Sequence, residues 1–339
     1  MAMKRTEEDN GYIKGKKIFS ALIVWVLVVS GFMMMLPFSF PTVKGDLVHD
    51  QSAQWEDSDA SDGNPGNGLD YNGGPAGDMK VTWREVNNTH FVTDNFIVQD
   101  GYILEIEAGA DVRIDSGYFI RIGDSVTGGG TIYCNGTTDN RIIITQYSSG
   151  SPWYSIEILE GSYGYMENTD VDGGGRIYAL NSTLDMINCS VMDMDSFGID
   201  ATGSTVTLTN CTIANTDQPG IYVLASTLTV EDSYVANGTT SGIYCEFSSA
   251  LINNSDVFGR NGSAGISGGH GIYLTGFCFQ VTISNNTIIG GNGGDSTAST
   301  PGGRGGFGIF DVNLDGRVYI LDNILIQGGR GGDNSQNGG

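Results

Sequence analysis

Positive charge is scarce in this sequence. Its 339 residues hold 16 Lys and Arg against 39 Asp and Glu, a formal net charge of −23. The last Lys is Lys80, and no basic residue falls between Ile177 and Gly259. Affinity for phosphate needs Lys and Arg, so the chain is expected to repel nucleic acid and anionic lipid headgroups. An unaided grip on polyanionic sugars is excluded for the same reason. Neutral glycans remain, as do acidic partners bridged by calcium. Proline is sparse too, at 7 residues, whereas Gly reaches 52. That is too much Gly for an average globular chain, yet the strict third-residue spacing of collagen is missing. The five cysteines, Cys134, Cys189, Cys211, Cys245 and Cys278, form no CxxC pair and no His/Cys metal spacing.

One segment lacks charge altogether. Ile18 to Phe40 contains "IFSALIVWVLVVSGFMMML", close to the length that crosses a bilayer as a helix. Lys14, Lys16 and Lys17 precede it, and no basic residue follows until Lys44. The positive-inside rule then predicts a cytoplasmic tail over 1–17, a transmembrane helix or signal anchor over 18–40, and everything later outside. A cleaved signal peptide is the rival reading, although no A-x-A site follows. Either way the rest of the chain is exported. Residues 41–80 are rich in Gly, Asp, Asn and Ser and are expected to form a flexible acidic linker.

What remains is built on a repeat. Ser182, Ser204, Ser226 and Ser248 open segments spaced 22 residues apart. Three of them read "STLDMINCSVMDMDSFGIDATG", "STVTLTNCTIANTDQPGIYVLA" and "STLTVEDSYVANGTTSGIYCEF". Apolar pairs recur two residues apart, as in Val206 and Leu208, Cys211 and Ile213, and Ile221 and Val223. Alternation of this kind is the signature of a strand. Three short strands per repeat make one triangular coil, and stacked coils bring equivalent positions within about 4.8 Å. No single coil can bury its apolar face, but a stack can. The predicted fold is all-β, a parallel β-helix solenoid of about 22 residues per coil over 81–339. The chain stops inside a Gly-rich stretch, "LIQGGRGGDNSQNGG", so a truncated C-terminus is expected.

Two upstream segments, Ile106 to Ile114 and Asn135 to Thr145, carry a Glu-x-Gly-x-x-Val turn and an "NGT…N-x-I-I-x-T" run. With the coil repeat, they resemble the right-handed parallel β-helix family of pectin-lyase-like fold. The resemblance covers roughly residues 81 to 339. It implies the fold and leaves function open, because this architecture hosts lyases, hydrolases, adhesins and structural surface proteins.

Several residues invite a chemical reading. Asn188, Asn210, Asp232, Asn254, Asn285 and Asp322 share one turn slot, where Asn tolerates a left-handed backbone and can bond its stacked neighbours. They are read as a structural ladder. Asn87, Asn135, Asn237 and Asn261 lie in N-x-S/T sequons in expected exposed turns and are the better N-glycosylation acceptors. Cys189 and Cys211 share one inward slot, as stacked thiols or as a disulfide between coils.

Asn168-Thr169-Asp170, Asn215-Thr216-Asp217 and Gly269-His270-Gly271 echo motifs of polygalacturonases, which share this fold. However, no Asp-Asp pair occurs, and Arg176-Ile177 lies on the wrong side of the His. No catalytic residue is assigned. "DVNLDGRVYILD" at 311–322 looks like the calcium loop of dockerin modules. It is read as a coil turn, with calcium held by Asp311, Asn313 and Asp315 as the alternative; no other cofactor is expected. Tyr178, Tyr222, Tyr244, Tyr273 and Phe310 share an outward slot and predict an aromatic stripe, interrupted by Asp200, that would contact glycans.

The sequence therefore points to an exported, membrane-anchored surface protein without enzymatic activity, acting in adhesion or glycan binding. Its expected partners are the membrane, through the N-terminal helix, and glycans or other envelope proteins. A carbohydrate-active enzyme of pectin-lyase-like fold and a purely structural envelope component are the alternatives.

Overall fold

The computed structural model describes residues 79–87, 89–98, 101–123, 129–148, 150–297, 300–312 and 316–333. The expected cytoplasmic tail, the transmembrane helix over 18–40 and almost all of the linker lie outside the described residues. Within them, no helix is long and apolar enough to cross a membrane.

The strands follow from the alternation. In Thr205–Thr209, Val206 and Leu208 are fully buried while Thr205 is exposed. One repeat later Thr227–Glu231 pairs with it in parallel, setting Val206 beside Leu228 and Leu208 beside Val230. Successive coils build three parallel sheets in this way, of ten, ten and nine strands among the described residues. The first sheet collects the strands that open each coil, the second those after the Asn turn, and the third those carrying the Gly-Ile-aromatic pattern. One apolar core runs down the middle, from Trp83 and Val92 to Ile283 and Ile288. Among the described residues the first coil is Met79–Trp83, His90–Val92 and Phe96–Val98, four coils before the one that opens at Ser182.

Corners are held by ladders. At the turn from the third sheet to the first, the backbone N–H groups of Ser182, Ser204 and Ser226 donate to the hydroxyls of Ser204, Ser226 and Ser248 at 3.0–3.1 Å. The repeat opens on Ser because a small hydroxyl satisfies a buried donor one coil below. At the turn from the first sheet to the second, Asn188, Asn210, Asp232, Asn254, Asn285 and Asp322 all have φ between 48° and 58°. Asn210 donates to Asn188 (3.1 Å), and Asn188 donates to Asn168, which heads the ladder.

A second ladder was not foreseen. Asn237 donates to Asn215 and Asn215 to Asp193, both at 2.9 Å, again from left-handed backbone. Asn237 is exposed, as expected of an acceptor, but its side chain is a ladder rung and not a free turn amide. The three residues sit near the ends of second-sheet strands. Met194, Thr216 and Gly238 beyond them turn inward and are buried.

The Gly-rich insertions between the second and third sheets pack as a bundle of extended segments. Gly291 N–H donates to the Gly269 carbonyl, Gly306 N–H to Gly291 and Gly329 N–H to Gly306, each at 2.8 Å. A Cβ at Gly291, Gly294, Gly303 or Gly306 would lie 1.8–1.9 Å from a carbonyl oxygen of a neighbouring segment. Glycine is therefore required for close backbone approach, the same constraint that places Gly at the collagen axis.

Candidate functional site

The third sheet carries the most organised outer face. Its register aligns Tyr178, Asp200, Tyr222, Tyr244, Tyr273 and Phe310 in one column. The rings touch down that column: Tyr222–Tyr244 at 5.3 Å between centroids, Tyr244–Tyr273 at 4.6 Å and Tyr273–Phe310 at 5.1 Å. The expected break at Asp200 is filled from both sides. Phe197 leans in against Tyr222 at 5.4 Å. Arg176 pairs with the buried Asp200 carboxylate and covers the Tyr178 ring at 4.4 Å. Burial pushes the Asp200 carboxyl up, and the Arg176 charge and hydrogen bond oppose this.

Ring orientation decides what the stripe can offer. Tyr244 and Tyr273 lie only 15° from parallel, so each covers the other's face and presents its edge and hydroxyl outward. Tyr222 and Tyr244 are tilted by 44°, which leaves part of each face open. Phe307 is the most exposed ring, at 54%, and stacks on Phe310 (5.1 Å) and His270 (5.5 Å). His270 accepts the Phe307 backbone N–H at Nδ1 (2.9 Å), and burial lowers its pKa, so the ring is neutral at pH 7. The Tyr222 hydroxyl donates to Glu246 at 3.0 Å. Sequence spacing located the five slot residues. Phe197 and Phe307 escaped it because they join the stripe from a turn and an insertion, and His270 because it opens its strand three residues before the slot.

A second outward cluster was also missed. On the first sheet the Tyr163 hydroxyl donates to Asp185 (2.9 Å) and the Tyr165 hydroxyl to Glu167 (2.8 Å). Tyr133 meets both rings, at 6.0 and 6.3 Å. Burial, then the carboxylate partner, pushes Tyr163 and Tyr165 up to about 12. Both phenols therefore keep their protons at neutral pH.

The hydrolase-like tripeptides are dispersed. Asn168 is a buried ladder residue, Thr169 points inward, and Asp170 pairs with Arg141 at 2.7 Å on the second sheet. His270 lies four coils away on the third sheet. Inverting hydrolysis needs two carboxyl groups about 6.5–9.5 Å apart on one substrate, which this arrangement does not provide. Asn215 and Asp217 belong to the edge between the second and third sheets. There a polar groove of about 460 Å³ is lined by Asp193, Asp195, Asn215, Asp217, Asn237 and Arg260.

Among the described residues, no group of three or more His, Cys, Asp or Glu is placed to hold a metal ion. Of the calcium alternative, Asp311 ends the strand Ile309–Asp311, while Asn313 and Asp315 lie outside the described residues. Among the sequon residues, Asn135 is exposed and donates to Glu105 (3.2 Å), and exposed Asn261 accepts the Asn292 N–H (2.8 Å). Asn87 ends a one-turn 3-10 helix, Glu85–Asn87.

The same edge gives a pH-dependent result. Burial, then the charges of Asp193 and Asp170, pushes the Asp172 carboxyl above the usual carboxylate range, and the Gly173 N–H opposes them. A raised folded-state pKa means that ionisation favours the unfolded chain, so this strain is relieved as pH falls through that pKa. Asp172→Asn is therefore expected to raise the melting temperature at pH 7. The gain should shrink as the pH is lowered into the range where Asp172 takes up its proton. A gain independent of pH would show that its charge is not the cause.

Residues 176–339 match the family model for the right-handed β-helix region. No curated protein matches the sequence. Among solved structures, a point variant of the periplasmic alginate epimerase AlgG is 13% identical, with a TM-score of 0.37 over 70% of this chain and 78% of that one. The alginate lyase from Paenibacillus sp. str. FPU-7 is 12% identical, with a TM-score of 0.32 over 72% and 99%. The catalytic unit of the GH87 alpha-1,3-glucanase from Streptomyces thermodiastaticus strain HF3-3 is 10% identical, with a TM-score of 0.23 over 75% and 63%. At these values the likenesses support no statement about chemistry. The stacked repeat and the family match agree: residues 176–339 carry the right-handed β-helix repeat, and the described chain folds as a parallel β-helix.

Proposed function

We propose that this chain is an exported, membrane-anchored surface protein that binds a neutral glycan without turning it over, through the outer face of its third sheet. The observation that carries this reading is the aromatic column running from Phe197 through Tyr222, Tyr244 and Tyr273 to Phe310 and Phe307. Sugar rings pair an apolar face with a hydroxyl rim. The column offers the matching parts: an exposed ring at Phe307, part-exposed tyrosines above it, and a neighbouring column of Thr202, Glu246 and Thr275 interrupted by Leu224. The deficit of positive charge in the central coils selects against polyanionic glycans. Export and anchoring rest on the uncharged segment 18–40 and the lysines before it.

A carbohydrate-active enzyme is the second reading, and the Tyr163–Asp185 and Tyr165–Glu167 pairs favour it. A phenol whose O–H turns from the carboxylate to a bound sugar can donate its proton to a leaving oxygen. One experiment separates the readings. The chain is applied to an array of neutral glycans, and the bound glycans are then analysed for cleavage products. Binding that falls at least tenfold in Tyr222→Ala and Phe307→Ala, with the glycan intact, is the expected result. Product formation lost in Tyr163→Phe would establish the enzyme instead. Silence in both assays leaves a structural envelope component.

A further inference from the structure

Cys189 and Cys211 occupy the same inward slot at the turn from the first sheet to the second, in consecutive coils. The Thr212 N–H donates to the Cys189 carbonyl at 2.9 Å, which holds the two coils in register at this point. Neighbouring strands lie about 4.8 Å apart, inside the Cα range of about 4.4–6.8 Å that a disulfide spans. In the next coils Ser233 and Ser255 take the slot, each hydroxyl accepting a backbone N–H from the coil before: Cys211 N–H at 3.0 Å and Ser233 N–H at 3.1 Å. The thiols that hold the slot one and two coils earlier donate to carbonyls: Cys211 to Met186 and Thr209 at 3.4 Å, and Cys189 to Met166 and Ile187 at 3.3 Å.

We propose that Cys189 and Cys211 form a thiol–disulfide exchange site, which a small-molecule disulfide oxidises to a covalent link between neighbouring coils. Cys211 is the attacking residue. It is only 2% exposed, and it borders a groove of about 310 Å³ together with Asn210, Thr212, Ser233 and Tyr234. Arg141 donates to the Asn188 carbonyl at 2.9 Å, which brings a guanidinium to the turn. The Cys189 thiol lowers the Cys211 pKa against the effect of burial, while Cys211 and burial both raise that of Cys189, so Cys211 is the one of the pair favoured as thiolate, the reactive form. Cys134, stacked between Ile106 and Met166, is instead pushed up to about 12 by burial. Cys245, between Val223 and Leu274, is raised for the same reason.

In the first step the Cys211 thiolate attacks one sulfur of the small disulfide. A mixed disulfide forms, and one small thiolate leaves and takes up a proton. Cys189 then attacks the Cys211 sulfur and loses its proton, and the second small thiolate leaves and is protonated. The protein loses two hydrogens and two electrons, and the small disulfide is reduced to two thiols.

The test uses the folded chain and oxidised glutathione. Asp-N digestion is needed, because trypsin finds no site between Ile177 and Gly259. The expected product joins the Cys189 and Cys211 peptides, lowers the intact mass by two hydrogens and melts at a higher temperature. Cys189→Ser should stop at a glutathione adduct on Cys211, and Cys211→Ser should give neither product. Both variants are expected to fold, since Ser already fills this slot in two coils. No reaction under native conditions, or oxidation that first joins any other pair, would overturn the proposal.

Discussion

Trp153→Ala is expected to remove about 3–5 kcal/mol of stability, read as a large fall in the melting midpoint by far-UV circular dichroism. Trp153 is completely buried, and its indole N–H donates to the Asp172 carbonyl at 3.2 Å. The ring lies over Gly174, where a Cβ would come within 2.0 Å of it, and the two residues also form an isolated parallel bridge. Truncation would remove a large apolar volume, leave a cavity between coils that cannot slide together, and delete the hydrogen bond to the Asp172 carbonyl. Gly174→Ala probes the same contact from the other side and should also destabilise, through a clash instead of a void. A wild-type midpoint in both variants would show that this contact does not support the stack.

Gly306→Ala should cost about 3 kcal/mol. Its Cβ would meet the Gly269 carbonyl oxygen at 1.9 Å, and that oxygen belongs to backbone that cannot swing aside. The sharpest comparison is Gly331→Ala in the same bundle, where the nearest atom is 3.8 Å away. Gly306→Ala is expected to lower the melting midpoint, and Gly331→Ala to leave it unchanged. Equal effects would mean that the segments are loops, with their glycines chosen for flexibility.

The contrast shows what could be read from composition and what could not. Gly-rich insertions look like flexible loops when Gly is only counted. Their regularity was visible in Gly259, Gly262, Gly265, Gly268 and Gly271, a local period of three. It has structural meaning only once several such segments lie side by side. The strand repeat was legible because its period is local: Val206 and Leu208 must face inward whatever else the chain does. The Asn ladder was legible for the same reason, since a left-handed turn residue is a local requirement. Phe197 and Phe307 were not, because each reaches the aromatic column from a turn or insertion whose course alternation does not report.

By itself, the sequence determined the coil, the inward and outward slots, and hence which residues would stack, because these follow from a period of two inside a repeat of 22. Tertiary structure alone decided how the stacked side chains face one another. It turned Asn168 and Asn215 into ladder rungs, filled the gap at Asp200 with Arg176 and Phe197, and set the Cys211 thiol on the Met186 and Thr209 carbonyls. Ring tilt, hydrogen-bond direction and backbone contact depend on the coils above and below, which no single repeat contains.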